Sequence, residues 1–497
     1  MTLPSGSTRA TRRDLLKGAG VLTLGIASLS LLAACGGGAA PAPTSAAATP
    51  APQGAGGAAP AATPTPQPQA AAATPAAQGN PPSGKKGEVS WLVRTGPVEN
   101  KWEKEVAIPA FQKANPDIKI NLIIVPWDQF DPKLFTLFAG GTPVDVWSHW
   151  GRSGFADYVH KGMVADLTPH INSSNYDLSG FAPGVVDIYK VNGKYMGMPL
   201  LTTFGTPLFY NANLFQQANI DPPPVDWKSP WSWEQFVEAG KKLTKDYGTP
   251  TGTYGISYTQ NIQQLAYLGG GDAFLPEHYQ TGLAKTTKLD SPEVLAGVEA
   301  VYNLIYKDKV SPTPQLSSAL SSGNVDPFRA QKLAINVDGG WQYWNYKPQI
   351  HDFKWAVGAD PKLQTNKNVT YTDPWMLSSK SADPESAWKF IAYLVSEEGQ
   401  TAYITATGTP PTRTKLIDKW LDDFTGPTGM SKEQLQKVTS GALENGVESV
   451  NHLFVGYDEI SKAIDQVMGD VWAGKKTPKE GLAAAKAQVD VVLASIK

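Results

Sequence analysis

The stretch IKINLIIV, residues 118–125, decides how the chain is read. It is rich in β-branched side chains and shows no polar alternation, which predicts a strand buried on both faces. The same texture recurs around it. Residues 89–93 form a short apolar run, and 100–114 carry Trp102, Val106 and Phe111 at helical spacing. A helix is predicted from about 131 to 139, and 144–147 is a third short apolar run. Continuous apolar strands separated by helices imply an α/β fold whose parallel sheet is covered on both faces. Ligands in such folds bind at loops beyond the carboxyl ends of strands.

Further along, Val191-Asn192-Gly193-Lys194 predicts a hairpin turn and 204–210 a strand. Trp231-Ser232-Trp233-Glu234-Gln235-Phe236 predicts a helix start, with Ser232 and Gln235 as a capping box and Trp231 stapled onto Phe236. Ser291-Pro292 opens a helix to about 307. Strands are expected at 333–337, 355–357 and 375–377, then helices at about 384–406, 431–446, 457–473 and 478–496. Thr477 and Glu480 form a second capping box.

The beginning of the chain reads differently. Residues 1–34 place Arg9, Arg12, Arg13 and Lys17 before an apolar stretch that ends in small residues, the pattern of an export signal. Thr11-Arg12-Arg13-Asp14-Leu15-Leu16-Lys17 resembles the twin-arginine export signal; the alternative is ordinary signal-sequence charge. Leu32-Ala33-Ala34-Cys35 resembles the bacterial lipobox, which implies a lipidated Cys35 and anchorage to the membrane. Residues 35–87 continue with Ala, Pro, Thr, Gly and Gln, a composition with too little apolar bulk to fold, and are expected to act as a linker. The remainder, 88–497, is long enough for two or three domains with real cores.

Composition removes several chemistries. Formal net charge is −2 with no basic cluster after residue 88, so nucleic acid is not an expected partner. One cysteine excludes a dithiol pair or a Cys-based zinc site. The 6 histidines are scattered, and there is no phosphate-binding Gly-x₄-Gly-Lys-Ser/Thr loop. No cofactor and no metal is expected.

Several stretches spread over 88–497 together resemble the maltose-binding-like family of bacterial extracellular solute-binding proteins, the sugar receptors of ABC importers. They include Phe111-Gln112-Lys113-Ala114-Asn115-Pro116-Asp117, Ala139-Gly140-Gly141-Thr142-Pro143-Val144-Asp145-Val146 and Gly162-Met163-Val164-Ala165-Asp166-Leu167-Thr168-Pro169. Gly193-Lys194-Tyr195-Met196-Gly197-Met198-Pro199-Leu200, Tyr210-Asn211-Ala212-Asn213-Leu214-Phe215 and Ser396-Glu397-Glu398-Gly399-Gln400 continue the series. The resemblance implies a two-lobed periplasmic-binding-protein-like fold of type II, closing around a solute at a hinge. It places lobe 1 at about 88–200 plus 345–410 and lobe 2 at about 205–340 plus 414–497, with crossings near 200–205, 337–347 and 409–414. It further implies a monomeric, extracytoplasmic receptor that hands a mono- or oligosaccharide to ABC transporter permease subunits.

A sugar offers apolar C–H faces and a rim of hydroxyls, so its site pairs aromatic faces with side chains that donate and accept hydrogen bonds. Asp338-Gly339-Gly340-Trp341 follows the strand at 333–337, and its glycines free the backbone to approach a ligand. The family usually has such a turn with its Trp stacked on the sugar, which marks Gly340 and Trp341. Trp344 is read as structural. His149 and Trp150 follow the third strand and are expected to point into the cleft. Arg94, Thr95 and Glu99 follow the first strand, Trp127 and Asp128 the second. Thr203 and Phe204 lie at the first crossing, Gln260 and Asn261 precede the turn at 269–272, and Trp375 and Tyr457 are further aromatic candidates. For each residue the alternative is packing or a solvated loop.

Two other functions remain open at this level. One is a receptor of the same fold for a non-sugar solute. The other is a lipid-anchored glycoside hydrolase, which needs two carboxyl groups across the bond; Glu99, Asp128 and Asp338 are acidic residues of the cleft set, but nothing marks them as such a pair. No catalytic residue is assigned, and the protein is expected not to be an enzyme.

Overall fold

The computed structural model describes residues 85–148, 153–182, 184–321 and 325–496. Cys35 and most of the expected signal and linker lie outside the described residues, as do His149 and Trp150. The strands, in chain order, are β1 (Glu88–Arg94), β2 (Lys119–Val125), β3 (Val146–Ser148), β4 (Lys190–Val191), β5 (Lys194–Tyr195), β6 (Met198–Thr202) and β7 (Leu208–Asn211). They continue with β8 (Tyr254–Tyr258), β9 (Leu333–Val337), β10 (Trp355–Gly358), β11 (Asn368–Thr370), β12 (Thr372–Leu377) and β13 (Gly446–Glu448).

The apolar runs become central strands. β1 is buried from Val89 to Val93 and lies parallel to β2, with Leu92 opposite Ile123. β3 flanks β1 on the other side, and the sheet runs β2-β1-β3-β12-β6. β12 enters antiparallel to both neighbours, and the register breaks between Asp373 and Pro374. Proline donates no backbone hydrogen bond, so a bulge is where a sheet tolerates it. The second sheet runs β10-β7-β9-β8, with β8 and β9 parallel and β7 antiparallel to both β9 and β10.

Each sheet has its own core, so the chain forms two lobes. Trp91, Phe111, Trp147, Tyr158, Trp375 and Phe390 belong to the first core. Phe209, Tyr254, Tyr343, Trp355, Trp420 and Phe454 belong to the second. The hairpin β4–β5 turns through Asn192 and Gly193, both at positive φ (52° and 80°), as a two-residue connection requires.

The chain passes between the sheets near 203–207. The second expected crossing is corrected. β9 and β10 both belong to the second sheet, so 337–347 does not leave it; the chain returns to the first sheet only at β12, after β11 of a separate two-stranded sheet and Tyr371. Residues 345–358 therefore go with the second sheet, because β10 completes it by pairing antiparallel with β7. The last passage lies between the helix Glu397–Thr407 and the helix Thr414–Thr428. Arg413 is pinned there: its Nε donates to Val395 O at 2.8 Å and its guanidinium to Tyr176 Oη at 2.7 Å.

The helices differ from expectation in three places. Residues 100–114 form Pro97–Trp102, a π-helical turn Glu103–Ala107, and Ile108–Ala114. Pro109 has no N–H to give and its ring crowds the carbonyl of Glu105, which the widened turn relieves. Residues 384–406 form two helices, Pro384–Leu394 and Glu397–Thr407, and the Ser396 side chain caps the second. At Ser232 the capping box with Gln235 forms, but Trp231 stacks on Phe215 and it is Trp233 whose ring meets Phe236.

Candidate functional site

The parallel strands direct their carboxyl ends to the loops that carry most of the candidates. In the second sheet, Asp338 leaves β9 and Gly339-Gly340-Trp341 turns back immediately. A Cβ on Gly339 would lie 1.5 Å from the Trp341 ring, so the indole folds down onto glycine backbone where no side chain fits. The Gly340 N–H donates to Gly205 O at 3.0 Å, which ties this turn to the first passage between the lobes. Thr203 is buried there and its N–H donates to Tyr371 O at 3.3 Å, which ties the first passage to the second.

Trp341 is 8% exposed and packs with Tyr267, Val369 and Tyr371, with Trp344 and Val447 alongside. Tyr457, half-buried at the start of the helix Tyr457–Trp472, approaches Tyr371; burial first, and then Tyr371, push its phenol well above the usual range. The structure thus gathers Gly340, Trp341 and Thr203 around Tyr371, where two passages meet, while Tyr457 packs against the second core. Aromatic faces next to a hinge suit a flat, hydroxylated solute.

Tyr371 and Tyr267 were missed by the sequence reading. Tyr371 stands in the β-branched run Val369-Thr370-Tyr371-Thr372, which reads as a strand. Tyr267 lies on the helix Ile262–Leu268, and its hydroxyl accepts from Gln263 Nε2 at 3.0 Å.

Two aromatic candidates belong to cores instead. Trp375 is 1% exposed and stands edge-on to Trp91 at 5.5 Å, because alternate residues of β12 point into the helix-covered face of the first sheet. Phe204 is buried edge-on to Trp420 at 4.9 Å, in the second core. Asn261 caps the helix Ile262–Leu268, accepting from the Gln264 N–H at 3.0 Å, and Gln260 is exposed beside it.

On the first lobe, Arg94 and Glu99 pair at 3.4 Å beyond β1, both half-buried. Thr95 is exposed and its N–H donates to Val125 O at 2.8 Å, so this residue extends the sheet. Trp127 is half-buried and Asp128 exposed beyond β2. Asn100 braces the β1 exit, donating from Nδ2 to Arg94 O at 2.8 Å and to Glu103 Oε2 at 2.7 Å. Burial pushes the Glu103 carboxyl up to about 8, against the hydrogen bond from Asn100.

A measurable consequence follows for stability. Glu103 folds protonated at neutral pH while the unfolded chain ionises it near 4.5. Glu103→Gln keeps an acceptor for Asn100 and removes the proton requirement. Its advantage over wild type should be absent below pH 4.5, where both states hold the proton. It should then grow by about 1.4 kcal/mol per pH unit and level off once the folded-state carboxyl also ionises. Urea unfolding of both proteins at acid, neutral and alkaline pH measures this; a constant difference would show that Glu103 is ionised in the fold.

A family model described as "Bacterial extracellular solute-binding protein" matches residues 96–401. An arabinooligosaccharide-binding protein of Bacillus subtilis (strain 168) is 29% identical over 440 residues, covering 82% of this chain and 93% of that protein. A lactose-binding protein of Rhizobium radiobacter is 22% identical over 308 residues, covering 59% of this chain and 67% of that protein. Among solved structures, an ABC substrate-binding protein of Listeria monocytogenes in complex with cycloalternan superposes with a TM-score of 0.69 at 23% identity. That match covers 82% of this chain and 99% of the Listeria chain. With two lobes, the aromatic cluster at their junction and a match over most of the folded region, the chain belongs to the bacterial extracellular solute-binding proteins.

Proposed function

We propose that the protein is the receptor of an ABC importer and binds a carbohydrate between its lobes. Members of its family are binding proteins and not enzymes, and their place is outside the cytoplasm. The observation that carries the reading is Trp341 on its glycine turn, set against Tyr371 and Tyr267 where two passages between the lobes meet. Relatives named for oligosaccharides support the solute class. Closure would bring the lobe 1 loops at Arg94, Thr95, Glu99, Trp127 and Asp128 over the solute, with Gln260 on the facing lobe. The lobes comprise about 88–202 plus 372–407 and about 206–370 plus 414–496. The mature protein acts as a monomer, anchored through a lipidated Cys35 after twin-arginine export, and docks on permease subunits.

Calorimetric titration with arabinotriose, maltose, mannobiose, lactose and cycloalternan tests the solute class. Micromolar binding, about −8 kcal/mol, to at least one of them is expected. Heat only from an amino acid, peptide or polyamine would overturn the carbohydrate assignment. Membrane fractionation tests the anchor: Cys35→Ser protein should leave the membrane fraction, and its retention there would refute lipidation.

A further inference from the structure

Behind the aromatic cluster lies a charged group that composition gave no reason to expect. His452 is completely buried on the short helix Val450–Leu453. Its Nδ1 is 2.7 Å from Glu448 Oε1, at the end of β13, and its Nε2 is 3.3 Å from Asp373 Oδ1, near the start of β12. The two carboxylates come from different places. β13 pairs with β11 beside the second sheet, and β12 is a strand of the first. The imidazole therefore spans the passage at Tyr371.

The surroundings hold it in place. Glu448 Oε1 also accepts from the Thr372 N–H at 3.2 Å, and the Ser449 N–H donates to Thr370 O at 2.6 Å. Gln263 Nε2 donates to Glu448 O at 3.1 Å as well as to the Tyr267 hydroxyl, and Gln263 Oε1 accepts from the Val450 N–H. The Tyr371 ring stands edge-on to the imidazole, with centroids 5.3 Å apart. One continuous set of hydrogen bonds and ring contacts thus joins His452 to both tyrosines that pack on Trp341.

We infer that His452 is a positioning residue of the solute site: as an imidazolium it clamps Tyr371-Thr372-Asp373 to the second lobe and holds the Tyr371 ring against Trp341. A cation fits because Nδ1 is within hydrogen-bond distance of Glu448 and Nε2 within ion-pair distance of Asp373, and only the doubly protonated ring presents a proton to both. Burial alone would lower its pKa, but Asp373 and Glu448 together outweigh burial and raise it to about 9. Glu448 is itself pushed up by burial, against the pull of His452. Other titratable groups at this junction include Tyr371, Tyr267, Tyr457 and the buried Tyr189, and burial holds the Tyr267 and Tyr457 phenols well above the usual range. Burial first, and then Glu448, keep the Tyr189 phenol protonated.

The sign follows from linkage. A histidine raised above 6.5 contributes its share in full below that value and loses it as pH rises through about 9. Because the solute binds the clamped arrangement, its binding is coupled to the same proton: affinity should hold at neutral pH and fall about tenfold by pH ~10, where the clamp is released.

The inference rests on the carbohydrate reading only for its choice of probe. Two measurements on the full chain test it, with the sugars named above as probes. In the first, ¹⁵N NMR follows the imidazole of His452, assigned by its loss in His452→Gln. Both nitrogens should stay protonated well into the alkaline range, and titration at or below 6.5 would overturn the inference. In the second, affinity is followed against pH. His452→Gln should bind about tenfold more weakly than wild type at neutral pH and lose the alkaline fall. Asp373→Asn, at a partly exposed position, should fold and move the fall to lower pH. Affinity with no alkaline fall in wild type, or unchanged profiles in both variants, would also overturn it. The titration needs no ligand. If wild type binds none of the sugars, the carbohydrate reading fails and the NMR result alone decides whether the clamp exists.

Discussion

Trp341→Ala should bind the oligosaccharide that wild type prefers about a hundredfold more weakly. The indole is nearly enclosed by Tyr267, Val369 and Tyr371 yet retains an exposed edge at the strand end where solute would lie. Truncation removes the stacking face and also leaves a void, which in a core costs about 3–5 kcal/mol of stability. The two effects separate by comparison with Trp341→Phe. A phenyl ring preserves a stacking surface and most of the packing, so it should recover most of the thermal midpoint and about a tenth of the affinity. Calorimetry and thermal unfolding on the same samples give both numbers. Wild-type affinity in Trp341→Ala would remove Trp341 from the site.

The second large effect is expected at Gly154, where an element of the first core meets one of the second. It precedes the helix Phe155–His160, whose Phe155 and Tyr158 lie in the first core, and it faces the helix Val450–Leu453 of the second. A Cβ there would lie 1.4 Å from Asn451 O, and its nearest obstacles are backbone atoms. Gly154 sits at φ −92° and ψ 176°, which alanine adopts without strain. The substitution therefore acts on the contact between lobes and leaves the local backbone alone. Overpacking of this kind costs about 1–3 kcal/mol. If that cost falls on the closed arrangement, Gly154→Ala should lower solute affinity by about tenfold to a hundredfold. Small-angle scattering should show the variant staying extended at solute concentrations that compact wild type. Unchanged affinity and scattering would mean that this contact does not form part of closure. A second bond at the same place, from the Gly456 N–H to Asp157 Oδ1 at 3.3 Å, should weaken with it.

Burial explains which parts of the fold were legible in the sequence. β1, β2 and β9 are enclosed on both faces, so their apolar runs stand out from any background. The crossing expected at 337–347 went wrong for a definite reason. A Gly-Gly turn looks the same whether the next segment returns to its own sheet, as the chain here does through β10, or departs for another. The actual passage runs from β10 to β12 through the short strand β11, whose β-branched run reads as an ordinary strand and so does not mark a crossing. The aromatic candidates divide similarly. Trp341 stands out because its turn has a chemical signature. Trp375 draws attention as an aromatic at a strand although it lies in the first core, because residue type does not reveal which way a strand residue points. His452 was passed over among scattered histidines, since its second carboxylate, Asp373, is remote in the chain and meets it only through the fold.

The position of β12 has a consequence for how the molecule is assembled in time. In the first sheet β3 and β6 do not touch; β12 lies between them and pairs with both. A nascent chain that has emerged through β6 can join β2, β1 and β3, but β6 has no partner in that sheet until 372–377 appears. Every strand of the second sheet is made in the interval. Assembly is thus nested, the inner sheet pairing its strands before the outer one can close, and pairings so remote in sequence fold slowly. A chain arrested between β6 and β12 would expose the apolar edges of β3 and β6 together, the state most exposed to aggregation and to proteases.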